Sequence, residues 1–89
     1  MIRSTLHINN KLGLHARASA KLTKLAGSFA CEIHLSRNGR RVNAKSIMGV
    51  MMLAAGMGTE VELDAEGADE QAAADAITAL VDDKFGEGQ

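Results

Sequence analysis

The sequence has a single cysteine, no proline and no long apolar run. Cys31 can form no internal disulfide and has no second thiol with which to build a metal site, so we interpret it as a small buried hydrophobic residue. The longest apolar run, Ile47 to Ala55, is interrupted by Gly49 and is much shorter than the roughly 20 residues of a membrane-spanning helix. These absences exclude a disulfide-bonded scaffold and predict no membrane insertion.

The chain also lacks internal repeats, low-complexity stretches and any sign of a leader segment. Met1 to Ser4 does not show the basic and then apolar layout of a signal peptide, which predicts a cytoplasmic protein. A length of 89 residues, 46% of them hydrophobic, with a net charge of -1, suits one compact soluble domain. We therefore predict a single domain over residues 1–89, with a disordered tail at residues 86–89.

Charges of opposite sign are segregated along the chain. All basic residues except Lys84 precede Thr59, and all acidic residues except Glu32 follow it. Such segregation suggests a basic surface for an anionic ligand or acidic partner, with an acidic surface elsewhere. Folding can instead interleave the two sets into ordinary solvated faces, and the sequence leaves both interpretations open.

Alternation of apolar and polar side chains predicts four strands. Residues 2–8, 31–36 and 60–65 have the period of strands with one buried and one solvated face. The Asn38-Gly39 pair indicates a tight hairpin that leads into a return strand at residues 40–43.

Helical spacing of apolar residues predicts three helices. One begins at Ala16 and fits Gly27 as its C-terminal cap, a short apolar one follows Ser46, and the last follows Asp69, with Ser46 and Asp69 as N-caps. The order is therefore βαββαβα. Because each strand has one apolar face, we predict an α+β fold in which one mainly antiparallel sheet carries three helices on one face.

The three histidines differ in their predicted surroundings. His7 and His34 lie on the polar phases of their strands, where we interpret them as solvated side chains. His15 lies where a loop gives way to the first helix, and the N–H groups and dipole of a helix N-terminus form an anion site that favours a neutral, nucleophilic imidazole. Arg17 would add a planar fork of donors to a bound phosphate. On helix-start geometry alone, a plain N-cap role for His15 stays open.

No partner for conventional catalysis lies close to His15 in the sequence. The absence of a neighbouring histidine, cysteine or carboxylate argues against a local metal cluster and against a sequence-adjacent triad. A nucleophile beside an anion site, without acid, base or metal, suits a residue that holds a group which other proteins deliver and remove.

Two sequence blocks carry a family resemblance. Residues 13–22, GLHARASAKL, resemble the phosphohistidine motif of HPr, the histidine-containing phosphocarrier family of the bacterial phosphoenolpyruvate-dependent phosphotransferase system. Residues 43–51, NAKSIMGVM, resemble the family's second signature, which surrounds a regulatory serine. The blocks lie at the family's usual separation, and the resemblance covers essentially the whole chain. It implies an open-faced β-sandwich of four strands and three helices.

The resemblance implies roles for particular residues. His15 would be phosphorylated on Nδ1 by enzyme I, with Arg17 steadying the phosphate, and would pass the group to an enzyme IIA-type acceptor. Ser46 would match the serine that an HPr kinase/phosphorylase modifies in some members, although a plain N-cap role stays open. Ala18 replaces the proline of many members, which loosens the first helical turn. The partner-binding residues expected from the resemblance and from the charge pattern are Ile47, Met48, Met51, Lys21 and Lys24.

The sequence thus predicts a stoichiometric phosphoryl carrier, not an enzyme, that uses no cofactor or metal and serves sugar transport or a nitrogen-related regulatory branch. We expect a monomer with no nucleic-acid partner. A non-enzymatic regulatory module that binds through the Met48 and Met51 patch would need no nucleophile at residue 15. A small hydrolase would need a base or metal beside His15 that the sequence does not offer. For Ile47 and Met51, burial in the core is the alternative to a docking role.

Overall fold

The computed structural model describes residues 1–87 and has the predicted order of elements. Within those residues, no helix has both the length and the apolar character required to cross a membrane. The strands are β1 (Ile2–His7), β2 (Glu32–Arg37), β3 (Arg40–Asn43) and β4 (Glu60–Glu66), and the helices are α1 (Ala16–Gly27), α2 (Ile47–Met52) and α3 (Glu70–Asp82), followed by a 3₁₀ turn at Lys84–Gly86.

The four strands form one sheet in the order β1-β4-β2-β3, and each neighbouring pair is antiparallel. Leu6 pairs with Val61 and Leu35 with Leu63, so buried side chains of adjacent strands share one face. The three helices pack over this face, and the alternation of the strands turns polar side chains to the open face. The predicted α+β open-faced sandwich is confirmed.

The core between sheet and helices is built largely from aliphatic and small side chains. Leu22 of α1 and Ile77 of α3 are fully buried between the helices and the sheet. Ala18, the residue that departs from the pattern of the resembled family, is fully buried as well. Cys31 is buried as predicted. Burial, and then its contact with Asp69, raise the pKa of the Cys31 thiol.

Two local sequence signals act as predicted. Asn38 and Gly39 have φ values of +53° and +79°, the left-handed pair that a two-residue hairpin between β2 and β3 requires. Ser46 lies in extended conformation before α2, and its Oγ accepts the backbone N–H of Gly49 at 3.2 Å. The N-cap interpretation of Ser46 is therefore confirmed as a structural role.

Two predicted caps differ from the structure. Asp69 occupies the predicted N-cap position of α3, but its carboxylate makes no hydrogen bond to that helix and instead accepts the N–H groups of Ala30 and Cys31, at 2.8 and 2.9 Å. It thereby ties the start of α3 to the connection between α1 and β2. Gly27 is the last residue of α1, and Ser28, in right-handed conformation, is the C-cap.

The predicted disordered tail at residues 86–89 also needs correction. Phe85 is buried at 1% exposure, Gly86 ends the 3₁₀ turn with a φ of +74°, and the side chain of Glu87 contacts His15. The ring of Phe85 fills the core after α3 has ended, which fixes the residues that follow it. The last two positions of the predicted tail, residues 88 and 89, lie outside the described residues.

Candidate functional site

His15 lies at the start of the first helix, as predicted, and its side chain caps that helix, the role that the sequence left open. Its φ of −74° and ψ of 179° are extended, so the chain enters α1 directly after it. Nδ1 accepts the backbone N–H of Arg17 at 3.3 Å, and the His15 carbonyl accepts the N–H of Ser19 at 2.8 Å. The side chain is 25% exposed. The imidazole thus stands over the unpaired N–H groups of the first turn and remains open to solvent.

The loop before His15 is fixed by close backbone contacts. Gly13 has a φ of +64°, and an added Cβ would lie 2.4 Å from the carbonyl oxygen of Ala55. This approach allows the N–H of Leu14 to donate to the same oxygen at 2.8 Å. Asn10, fully buried, donates from Nδ2 to the Gly13 carbonyl at 2.8 Å. The backbone of Ala55 and the side chain of Asn10 therefore fix the loop that leads into His15.

The carboxylate of Glu87, which the sequence analysis missed, contacts the Nε2 edge of the His15 ring. Oε2 of Glu87 lies 2.5 Å from Nε2 of His15, and Oε1 accepts Nδ2 of Asn10 at 3.1 Å. The bond to His15, followed by the bond to Asn10, lowers the pKa of Glu87, so this group is ionised at neutral pH. Because an ionised carboxylate only accepts, Nε2 is the ring nitrogen placed to donate to Glu87, and Nδ1, which faces the N–H of Arg17, is placed to accept.

Arg17 and Lys21 line an open groove beside His15, together with Leu12, Gly86 and Glu87. Arg17 is exposed. The ammonium of Lys21 donates to the carbonyl oxygen of Phe85 at 2.6 Å. This bond links α1 to the segment after α3, a contact that the sequence did not indicate. Lys24 lies farther along, in the last turn of α1.

The predicted apolar patch on α2 is exposed. Ile47, Met48 and Met51 are 39%, 69% and 40% exposed, whereas Val50 on the inner side of the same helix is fully buried. The core interpretation of Ile47 and Met51 is therefore wrong for the protein alone. Further large apolar side chains are exposed that the sequence analysis did not assign to the patch, among them Leu12, Met52 and Met57.

The other two histidines lie away from the site, on the open face of the sheet. His7 is 69% exposed with Nδ1 3.3 Å from Glu60, as expected of a solvated side chain. His34 is only 22% exposed and lies 3.7 Å from Asp64, so it is less solvated than predicted. Residues 1–87 contain no group of three or more histidine, cysteine, aspartate or glutamate side chains placed to hold a metal ion.

Both interpretations of the charge segregation apply, on different surfaces. The α1 helix contains basic residues and no acid, whereas α3 contains acids and no base. On the open face of the sheet the charges interleave, as in the 3.0 Å ion pair between Arg41 and Asp64. The basic surface predicted from the sequence is thus centred on the helix that His15 caps.

Comparison with known proteins gives consistent matches over the chain. A family model described as the phosphorylation site of the PTS HPr component matches residues 2–83. The phosphocarrier protein HPr of Cupriavidus necator is 62% identical over 89 residues, and that of Neisseria meningitidis is 53% identical, each alignment covering all of both chains. A crystal structure of HPr from Thermoanaerobacter tengcongensis has a TM-score of 0.95 at 45% identity, with 98% of each chain covered. An HPr dimer from the same organism has a TM-score of 0.79 and covers 98% of this chain and all of that chain.

Proposed function

The chain is a member of the HPr family of phosphocarrier proteins, and from that premise we propose that it carries a phosphoryl group on Nδ1 of His15 between two proteins of the phosphotransferase system. The donor is enzyme I, charged by phosphoenolpyruvate, and the acceptor is an enzyme IIA-type protein. The observation that carries the proposal is the orientation of the ring. Glu87 holds the protonated Nε2, while the lone pair of Nδ1 faces the first turn of α1.

This orientation suits the receipt of a phosphoryl group. The Nδ1 lone pair attacks phosphorus, the new N–P bond forms, and the bond from phosphorus to the donor breaks with its electron pair left on the donor. The phosphoryl oxygens then meet the N–H groups of the first turn of α1 and the guanidinium of Arg17. The 3.3 Å bond from the Arg17 N–H to Nδ1 is long, so its exchange for a phosphate oxygen costs little.

Retention of the group follows from what surrounds Nδ1. Glu87 lies at the Nε2 edge of the ring, away from the phosphoryl position, and is not placed to activate water there. The phosphoryl group is therefore held until an acceptor nucleophile removes it, as expected of a stoichiometric carrier. Such a protein needs neither cofactor nor metal.

Partner proteins bind to the exposed apolar side chains of α2 and to the basic surface of α1. Ile47, Met48 and Met51 present flexible, polarizable groups that can repack against two different partners. Lys21 and Lys24 add positive charge that steers acidic partners toward the site. Ser46 lies at the start of the patch, so a phosphate placed there by an HPr kinase/phosphorylase would have to be desolvated against a partner and would weaken docking.

The remaining parts of the proposal concern the protein as a whole. We propose one HPr-like domain over residues 1–89 that acts in the cytoplasm as a monomer, because a carrier that docks with two partners in turn needs its docking surface free. Either the sugar-uptake branch or the nitrogen-related branch supplies an acceptor of the required kind.

Incubation with labelled phosphoenolpyruvate and enzyme I tests the proposal. We expect an acid-labile, alkali-stable label on the parent protein and none on a folded His15→Ala variant. His7→Ala and His34→Ala are the matched controls and should be charged at the parental rate. A label that survives in His15→Ala would move the acceptor site. No label under conditions that charge a known HPr would favour a regulatory module that binds through the Met48 and Met51 patch.

A further inference from the structure

We propose that Arg37, assisted by Arg40, is a positioning residue for phosphoryl transfer, which fixes the place of His15 relative to the apolar patch of α2. It acts through residues 53–59, the segment between α2 and β4, here called the α2–β4 connection. The transfer part of this inference rests on the proposed function, whereas the hold on the connection concerns the uncharged protein alone.

Arg37 and Arg40 lie on the helix-covered face of the hairpin between β2 and β3. Arg37 ends β2, Arg40 begins β3, and the two residues are directly opposite each other. Arg37 is two residues from the buried Leu35, so it shares the inner face of the sheet, and its cross-strand neighbour does the same. Like charges in directly opposed positions destabilise a hairpin. This pair therefore needs acceptors on the helix side of the sheet.

The acceptors are the carbonyl groups that end α2. The last carbonyls of a helix have no N–H partner within it, and α2 contains no basic side chain of its own to bind them. Nη1 of Arg37 donates to the carbonyl oxygen of Leu53 at 2.9 Å and lies 3.5 Å from that of Ala54. Nη1 of Arg40 donates to the carbonyl oxygen of Met52 at 3.3 Å. Arg37 is half-buried and has the shorter bond, whereas Arg40 is exposed, so Arg37 is the stronger of the two supports.

The α2–β4 connection also supports the loop that leads into His15. Ala54 has a φ of +51°, a left-handed conformation that an alanine keeps only where its surroundings enforce it. The next carbonyl, that of Ala55, accepts the N–H of Leu14 at 2.8 Å, and Leu14 immediately precedes His15. A rotation of the peptide groups at Ala54 and Ala55 would therefore move His15 relative to α2.

The place of His15 relative to the apolar patch matters for transfer once a partner has docked. If the connection loosens, the patch stays on the surface of α2, so docking is retained. His15 is then displaced from the position in which Nδ1 attacks the phosphoryl group of the docked donor, and a misplacement of about 1 Å slows such a step strongly. Loss of Arg37 should therefore lower the maximal charging rate at an unchanged KM.

The test compares Arg37→Ala and Arg37→Lys with Arg41→Ala, a control that removes the same charge from the same hairpin. Arg41 pairs with Asp64 on the open face of the sheet. The through-hydrogen-bond coupling between the Leu14 nitrogen and the carbonyl carbon of Ala55 reports the connection in the uncharged protein, through a bond in which Arg37 takes no part. Initial rates of charging by enzyme I give the maximal rate and KM.

We expect the Leu14 coupling to persist in the parent and in Arg41→Ala and to be lost in Arg37→Ala. The maximal charging rate of Arg37→Ala should fall between about threefold and tenfold at a parental KM, the upper figure being the equilibrium factor of one charge-assisted hydrogen bond. Arg37→Lys keeps the charge and a donor, so it should recover part of both the coupling and the rate. Should Arg37→Ala fail to fold, Arg37→Gln, which keeps much of the apolar stem, replaces it in both measurements.

Each contrary result removes a particular part of the proposal. A parental Leu14 coupling in Arg37→Ala would overturn the hold on the connection, and a lost coupling with a parental maximal rate would overturn the role in transfer. A raised KM alone, or an equal effect of Arg41→Ala, would mean that Arg37 acts by stability or by charge and would reject positioning. If the parent itself takes no label on His15, the proposed function fails, but the coupling still decides whether Arg37 holds the connection.

Discussion

Replacement of Met48 by alanine should separate partner docking from folding. The side chain is 69% exposed, so its loss should change the free energy of unfolding by no more than about 0.5 kcal/mol. A partner that buries the thioether gains about 0.8 kcal/mol for each buried methylene-sized group, so truncation to alanine should cost about 2 kcal/mol of binding. That loss of binding free energy corresponds to a roughly 30-fold increase in the KM of enzyme I for the variant.

Val50→Ala is the matched control on the same helix. Val50 is fully buried, so its truncation should lower the free energy of unfolding by about 2 kcal/mol while leaving the docking surface intact. Urea unfolding measures the stability of both variants, and initial charging rates over a range of variant concentrations give KM. A parental KM for Met48→Ala would mean that enzyme I does not bury this side chain, and the docking role of the patch would have to be abandoned.

Three further perturbations test other parts of the structure. Ser46→Asp should slow the charging of His15 at low concentration without loss of stability, because its carboxylate must be desolvated against the partner; a parental rate would rule this out. Stopped-flow association with enzyme I should slow as salt shortens the screening length from about 10 Å at 0.1 M to about 3 Å at 1 M. Lys24→Glu should mimic high salt and Asp82→Lys should not, and equal effects would mean that the charges do not steer. The N–H of Ala30, and then Cys31, lower the pKa of Asp69, so its stabilising contribution is complete above its unfolded value of about 4 and is lost as pH falls through the lower folded value. Urea midpoints measured between about pH 5 and pH 2 should therefore fall less steeply for Asp69→Asn than for the parent, and identical slopes would contradict this assignment.

The local part of the fold could be predicted because its determinants are adjacent in sequence. Strand alternation, the left-handed Asn38-Gly39 pair and the Ser46 cap each depend on a few neighbouring residues. Asp69 could not be assigned in this way. Its carboxylate can accept the N–H groups of its own helix or those of Ala30 and Cys31, which lie 39 and 38 residues away in the sequence. Only the packed fold brings that second set within hydrogen-bond distance.

The candidate site shows the same division. His15 and Arg17 belong to one helix start, so their placement at the N-terminus of α1 could be predicted from the motif. Glu87 lies 72 residues from His15 in the sequence, and its position depends on the burial of Phe85 after α3 has ended. The segment around them is short, polar and rich in glycine, a composition that also fits a disordered end. A lone buried aromatic residue just after a helix is the one signal that could have indicated an ordered C-terminal segment.

The most direct measurement follows one labelled phosphoryl group through the protein. The parent is charged with labelled phosphoenolpyruvate and enzyme I, separated from the donor, and mixed with an enzyme IIA-type acceptor. One phosphoryl group per chain should be found on Nδ1 of His15, and the same amount should appear on the acceptor while the carrier returns unmodified. Release of the label as inorganic phosphate in the presence of the acceptor, or a label on His7 or His34, would contradict carriage by His15.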